Sequence, residues 1–127
     1  MTTKLTYPTE SELEILQVLW QNGPNPVRFV NDKLNETRDT GYTTTLKMMQ
    51  IMLEKGMLTR KGAGRQHIYE AVVREEETQQ RLLDRFLDRA FGGSATKLVQ
   101  ALSQRRPDTD EVAEIRRILD QMEGGEK

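Results

Sequence analysis

Apolar positions recur at helical spacing near the start of the chain and predict two short helices. Thr9 and Glu12 form a capping-box pair that predicts the start of the first helix, and Gly23 predicts its end. The second helix is brief, with Asn25 expected as its cap and Pro26 as its first residue. We expect the apolar stripes of both helices to meet in one core. The stripes consist of Leu13, Ile15, Leu16, Leu19, Trp20, Val27, Val30 and Leu34.

The stretch from Gly41 to Gly56 predicts a third helix with two different faces. Thr43 or Thr44 can cap its first turn, and Gly56 can adopt the left-handed conformation that ends a helix. One face is apolar and comprises Leu46, Met49 and Leu53, with Thr45 and Met52 at its edge. The opposite face carries Thr44, Lys47, Met48, Ile51 and Lys55.

The second of these faces suits the major groove of DNA. Hydroxyl and ammonium groups can reach phosphates or base acceptors, and apolar tips can pack on thymine methyl groups. Taken alone, the segment is equally consistent with an ordinary amphipathic helix that exposes two apolar residues. The short helices before it favour a recognition helix in a helix-turn-helix.

The residues after the third helix predict a basic β-hairpin. Residues 57–60 and 66–72 have extended character, and glycines between them supply a turn with Lys61 and Arg65 at its tip. Directly behind a recognition helix, such a hairpin is the wing of a winged helix, and its tip can contact the phosphate backbone or the minor groove. The alternative is an edge hairpin whose basic residues discourage aggregation.

The second half of the chain predicts three amphipathic helices. The first should run from about residue 75 to residue 91, Ser94 can cap the second, and Asp108 with Glu111 can cap the third. Three such helices bury too little apolar surface to be stable alone, so we expect a second copy of the chain to cover them. Packing onto the N-terminal helices is the alternative. The apolar faces include Leu82, Phe86, Leu87, Leu98, Leu102, Ile115 and Leu119.

These patterns predict a mainly α protein of two domains. Residues 1–73 would form a winged helix-turn-helix with a small β-hairpin wing, and residues 74–127 a three-helix dimerisation module. No apolar run approaches the roughly 18 residues of a membrane span, which predicts a cytoplasmic protein without membrane insertion.

Composition narrows the possible chemistry. The chain has no cysteine and a single histidine, His67, which excludes disulfides, thiolate sites and metal sites built on paired histidines. Its serines lack the context of a catalytic nucleophile, and no nucleotide-binding glycine pattern follows a strand. We therefore expect no enzyme activity, no cofactor and no metal.

Charge is distributed unevenly although the net charge is only −1. From Gly41 to His67, five basic residues oppose Glu54 alone, which gives a local charge of +4. From Val72 onward, ten basic residues oppose twelve acidic ones, which gives −2. A local basic patch on an otherwise acidic chain fits a protein that meets phosphate with one surface.

Several runs of the chain match one known family in register. They are residues 9–16, 19–20, 23–24, 27–28, 41–49, 54–56 and 64–69. On these runs the chain resembles the penicillinase-repressor family (BlaI/MecI type), and residues 91–94 with the leucine-rich helix after them resemble its dimerisation region less sharply. The resemblance implies a bacterial transcriptional repressor that binds a palindromic operator in double-stranded DNA as a homodimer. By matching position it implies a wing contact from Arg65 and groove-reading residues Thr43, Thr44, Lys47, Met48 and Ile51.

The chain departs from the best-known members of that family in how repression could end. In those members a membrane-bound sensor protease that detects β-lactams leads to cleavage between an Asn and a Phe in the dimerisation module. This chain has no asparagine after Asn35, so such cleavage requires another site, and the glycines near Phe91 are the most accessible candidate. Without cysteine, it also lacks the metal-binding tail of the copper-responsive branch. Two other functions remain open, a ligand-responsive winged-helix regulator and a winged-helix adaptor between proteins.

Overall fold

The computed structural model describes residues 7–62 and 66–124 and contains mostly helices. Their order agrees with the predicted winged helix-turn-helix followed by three helices, so the fold class is confirmed. The chain divides into two compact units within the fourth helix, the first ending at Leu82 and the second beginning at Leu83. The elements are α1 (Glu10–Asn22), α2 (Val27–Leu34), α3 (Tyr42–Glu54), β1 (Leu58–Lys61), β2 (Ile68–Ala71), α4 (Glu75–Phe91), α5 (Ala95–Gln104) and α6 (Thr109–Gly124).

Helix α1 begins and ends where the sequence predicts. Thr9 Oγ1 accepts a hydrogen bond from the Glu12 backbone N–H at 3.1 Å, and Glu12 Oε1 accepts one from the Thr9 N–H at 3.0 Å. This reciprocal pair satisfies two N–H groups that the first turn leaves without helical partners. Gly23 follows the last turn with φ +80°, a conformation that glycine adopts without strain.

Helix α2 begins one residue later than predicted. Pro26 occupies the cap position, and no side chain caps the helix. Asn25, which we expected to be the cap, instead pairs through its backbone with Tyr69 of β2, with N···O distances of 3.0 and 2.9 Å. The paired backbone groups satisfy each other, and they attach the start of α2 to the wing.

The core of the first unit lies between α1, α2, α3 and the hairpin. Trp20, predicted for the α1 stripe, is only half-buried, and its indole N–H donates to the carbonyl oxygen of Val73 at 3.0 Å. Burying one large apolar side chain contributes roughly 1.5–3 kcal/mol, so each side chain of this core stabilises the fold of the unit. Its buried side chains are Ile15, Leu16, Leu19, Val27, Val30, Leu34, Met49, Met52, Met57, Leu58 and Tyr69.

The hairpin is antiparallel, with Leu58 opposite Ala71 and Lys61 opposite Ile68. Gly62 follows β1 with φ +129°, and a Cβ placed there would lie 2.7 Å from the backbone oxygen of Gln66. Position 62 therefore requires glycine.

The second unit begins within α4 and continues through α5 and α6. Ser94 caps α5 by accepting from the Lys97 N–H at 3.1 Å, as predicted. Asp108 accepts from the Glu111 N–H at 2.8 Å just before α6. No side chain of α5 or α6 is fully buried, so the apolar stripes of both helices remain accessible.

Candidate nucleic-acid interface

The inner face of α3 differs from the predicted one by part of a turn. Thr45, Met49 and Met52 are fully buried, whereas Leu46 and Leu53, predicted for the centre of the apolar face, are half-buried. Thr45 can occupy a core position because its hydroxyl has a hydrogen-bond partner there. The rotation leaves other residues of α3 facing away from the core.

Asn31 of α2 supplies that partner and also holds the turn before α3. In the amide orientation that satisfies its neighbours, the Asn31 nitrogen donates one N–H to Thr45 Oγ1 at 2.7 Å and shares the other between the carbonyl oxygens of Thr40 at 3.1 Å and Gly41 at 3.2 Å. Its oxygen accepts from Asn35 Nδ2 at 3.1 Å. One amide thus joins α2, the turn and α3, which fixes the angle at which α3 leaves the core.

Helix α3 starts earlier than the sequence indicated. Gly41 occupies the cap position without a side-chain hydrogen bond, so the prediction that Thr43 or Thr44 caps the helix is wrong. Both threonines lie in the first turn and are exposed. The end of α3 was predicted correctly, since Gly56 follows it with φ +84°.

The outward face of α3 brings together most of the residues expected to read DNA. Thr43, Thr44 and Lys47 are exposed, and 39% of the Ile51 surface is accessible. Met48 differs, because it is half-buried and packs against the core. An exposed isoleucine between hydroxyl and ammonium groups is a chemical mixture that a DNA groove can accommodate.

The remaining predicted contacts do not form one cluster. The Lys55 ammonium group lies 2.7 Å from Glu12 Oε2, which ties it to α1. Lys61 is exposed at the end of β1. Arg65, predicted for the tip of the wing, lies outside the described residues.

Arg28 and Tyr42 were not predicted from the sequence as interface residues. They occupy the first turns of α2 and α3, and the Arg28 guanidinium carbon lies 5.7 Å from the centre of the Tyr42 ring. Both residues are exposed, and Tyr42 directly precedes Thr43 in the chain. Their positions at the starts of consecutive helices were visible in the sequence, but their proximity was not.

Among the helices within residues 7–62 and 66–124, none has the length and apolar content that crossing a membrane requires. The same ranges hold no group of three or more His, Asp or Glu side chains that could bind a metal ion.

Comparisons with known proteins agree with this arrangement. The family model described as penicillinase repressor matches residues 8–121. The transcriptional regulator BlaI of Mycobacterium tuberculosis is 28% identical over 123 residues, covering 96% of this chain and 89% of that protein. The penicillinase repressor of Bacillus licheniformis is 23% identical, with 98% of each chain covered.

A solved structure supports the fold of the first unit. The solution structure of the DNA-binding domain of the repressor BlaI aligns with a TM-score of 0.53 and 24% identity, and it covers 60% of this chain and 93% of that domain. The family match extends over nearly the whole chain and includes both units. The chain therefore belongs to the penicillinase repressor family, whose members are transcriptional repressors and not enzymes.

Proposed function

We propose that this protein represses transcription by binding a palindromic operator in double-stranded DNA as a homodimer. The observation that carries the proposal is the outward face of α3, where Thr43, Thr44, Lys47 and Ile51 are exposed on a helix whose other face is held in the core. A recognition helix needs both properties, because a rigid inner face fixes the position of the groups that meet the bases.

Each residue of this face has a role in the proposal. Thr43 and Thr44, in the first turn, donate to phosphate oxygens or base acceptors. Lys47 and Ile51 enter the major groove, where Ile51 packs on a thymine methyl group. Met48 contributes only the part of its side chain that the core leaves accessible.

The wing supplies the second part of the interface. Lys61 and Arg65 would contact the phosphate backbone next to the groove, and Arg65 is assigned from the sequence alone. Lys55 is omitted from the proposed contacts because Glu12 already binds its ammonium group. The wing contacts should contribute to affinity without contributing to sequence preference.

Dimerisation through α4, α5 and α6 is supported by the apolar residues on their surfaces. Phe86 is 53% exposed and Leu119 is 48% exposed, and the second unit buries neither residue. A second copy could cover these stripes and present two recognition helices to the two halves of a palindrome. Of the residues predicted for this interface, Leu102 and Ile115 are also exposed, whereas Leu82, Leu87 and Leu98 are half-buried.

We also propose that a sensor-triggered signal ends repression, with cleavage at Gly92 and Gly93 as the mechanism and a membrane-bound sensor protease as the partner. Both glycines are exposed and lie between α4 and α5, with φ values of +59° and +82°. An exposed connection of this kind is accessible to a protease. A cut there would separate α4 from the other two helices of the proposed dimer interface.

Selection of duplexes from random sequence by the purified full-length protein tests the proposal. We expect a palindromic consensus and an affinity for it that falls as salt concentration rises. Absence of binding to any duplex at low salt would overturn the proposal and would favour the adaptor function. A consensus that contains one half-site only would contradict the homodimer.

A further inference from the structure

A groove lies beside the recognition face, between the first turns of α2 and α3 and the start of β2. It encloses about 500 Å³. Its lining includes Arg28, Tyr42, Gln66 and His67. None of the proposed groove-reading residues lines it, so the groove is a separate feature of the same surface.

The side chains that line the groove favour the binding of an anion. Among the described residues that line it, none is acidic. Arg28 forms none of the ion pairs found among residues 7–62 and 66–124. The Tyr42 ring lies 5.7 Å from the Arg28 guanidinium carbon, a contact that orients the cation without neutralising it. The Tyr42 hydroxyl, the Gln66 amide and the His67 imidazole can each donate a further hydrogen bond.

The position of the groove favours a phosphate of the DNA backbone over a free small anion. In a helix-turn-helix, the recognition helix lies in the major groove and the helix before it crosses the phosphate backbone. A groove between the first turns of α2 and α3 therefore lies at the edge of the major groove. Phosphates line that edge.

We propose that this groove binds one phosphodiester of the DNA backbone per protomer, with Arg28 as its principal ligand. The planar guanidinium can donate two parallel hydrogen bonds to the two free oxygens of a phosphodiester. Tyr42 holds the guanidinium in place, and the contact fixes the register of α3 without reading a base. This inference rests on the proposed function, because it requires a duplex on the outward face of α3.

Salt dependence of DNA binding by full-length Arg28→Gln tests the assignment. A neutral side chain removes one phosphate contact, so the slope of log affinity against log salt should become shallower by about one unit for each bound protomer. The ratio of affinities for a selected duplex and a mixed-sequence duplex should remain unchanged. Arg28→Lys should retain the slope, and Tyr42→Phe should bind more tightly than Tyr42→Ala.

Arg38→Gln is the matched control. Arg38 is also an exposed arginine, but it is ion-paired with Glu14 of α1 and does not line the groove. Its removal should leave the salt slope unchanged. Circular dichroism of each variant will establish that it folds, and Arg28→Ala provides a second neutral variant if Arg28→Gln does not fold.

Neutral methylphosphonate linkages in the selected duplex provide a test from the DNA side. One linkage in each half-site should weaken binding by the wild type and have little effect on Arg28→Gln, because the two changes remove the same contact. An unchanged salt slope in Arg28→Gln, or equal sensitivity of both proteins at every linkage, would overturn this assignment. Wild-type protein that binds no duplex would instead overturn the proposed function itself.

Discussion

Lys55 and Glu12 form an ion pair that joins the end of α3 to the start of α1, with 2.7 Å between Lys55 Nζ and Glu12 Oε2. The Glu12 side chain is only 6% exposed, and its other carboxylate oxygen accepts the capping hydrogen bond from Thr9. Lys55 is 36% exposed and can reach water if the pair is broken. Glu12 therefore depends on the ion pair more than Lys55 does.

This asymmetry predicts that Lys55→Met destabilises the protein more than Glu12→Gln. Loss of Lys55 leaves a nearly buried carboxylate with a single hydrogen bond, which should lower the free energy of unfolding by about 1–3 kcal/mol. Glu12→Gln keeps an oxygen for the Thr9 cap and should cost about 1 kcal/mol or less, because Lys55 turns into water. The midpoints of urea unfolding measure the loss of stability in both variants.

The exposed pair between Arg38 and Glu14 is the control, since both of its side chains are more than two-fifths accessible. Arg38→Met should cost at most about 1 kcal/mol. We also expect Lys55→Met to retain the salt slope of DNA binding. A greater loss of stability for Glu12→Gln than for Lys55→Met would contradict this account of the pair.

Lys47 on the outward face of α3 should determine sequence preference. If its ammonium group binds a base acceptor, Lys47→Ala lowers affinity for the selected duplex by about 1–3 kcal/mol and reduces the advantage over mixed-sequence DNA. Fluorescence anisotropy with both duplexes measures the two effects. Lys33→Ala removes the same charge from α2, where Lys33 is paired with Glu36, and should leave the preference unchanged. If Lys47→Ala weakens binding to both duplexes equally, Lys47 contacts the phosphate backbone and not a base.

Dimerisation should depend on the exposed stripes of α4 and α6. Phe86→Asp and Leu119→Asp place a charge where we propose that the two copies meet, so sedimentation velocity should show monomers. The DNA affinity of these monomers should be lower than that of the dimer. In a dimer, binding of the first winged helix raises the effective concentration of the second at its half-site, and a monomer lacks this effect. Gln121→Asp introduces the same charge at a polar, exposed position of α6 and should remain dimeric. Dimers that persist in both stripe variants would exclude this interface.

Local signals in the sequence were sufficient for most of the fold. The Thr9 capping box, Gly23, Gly56 and the Ser94 cap act over a few residues, so their sequence spacing predicts their geometry directly. The inner face of α3 could not be predicted in the same way. The rotation of α3 about its axis depends on Asn31, which lies fourteen residues before Thr45 in the sequence. The hydrogen bond between the two side chains allows Thr45 to be buried.

Long-range contacts also limit what the sequence can reveal about the candidate interface. Lys47 is placed outward by helix periodicity alone, and the structure agrees. Lys55 was expected to contact DNA, but its ammonium group is bound by a residue 43 positions earlier in the chain. The approach of Arg28 to Tyr42 likewise depends on how α2 and α3 pack, which neither segment reveals separately.

The connection between α4 and α5 should be cut when the inducing signal arrives, and β-lactam exposure is the first signal to test. Gly92 and Gly93 are exposed, and a cut beside Ser94 would leave a fragment that contains α1 to α4 without α5 and α6. The remaining fragment would lose much of the proposed dimer surface and release the operator. The mass of the repressor isolated from cells before and after β-lactam exposure would locate the cut. Unexposed cells are the control. A chain that remains intact while its target genes are fully induced would exclude proteolysis as the mechanism, and a cut at some other connection would exclude only this site.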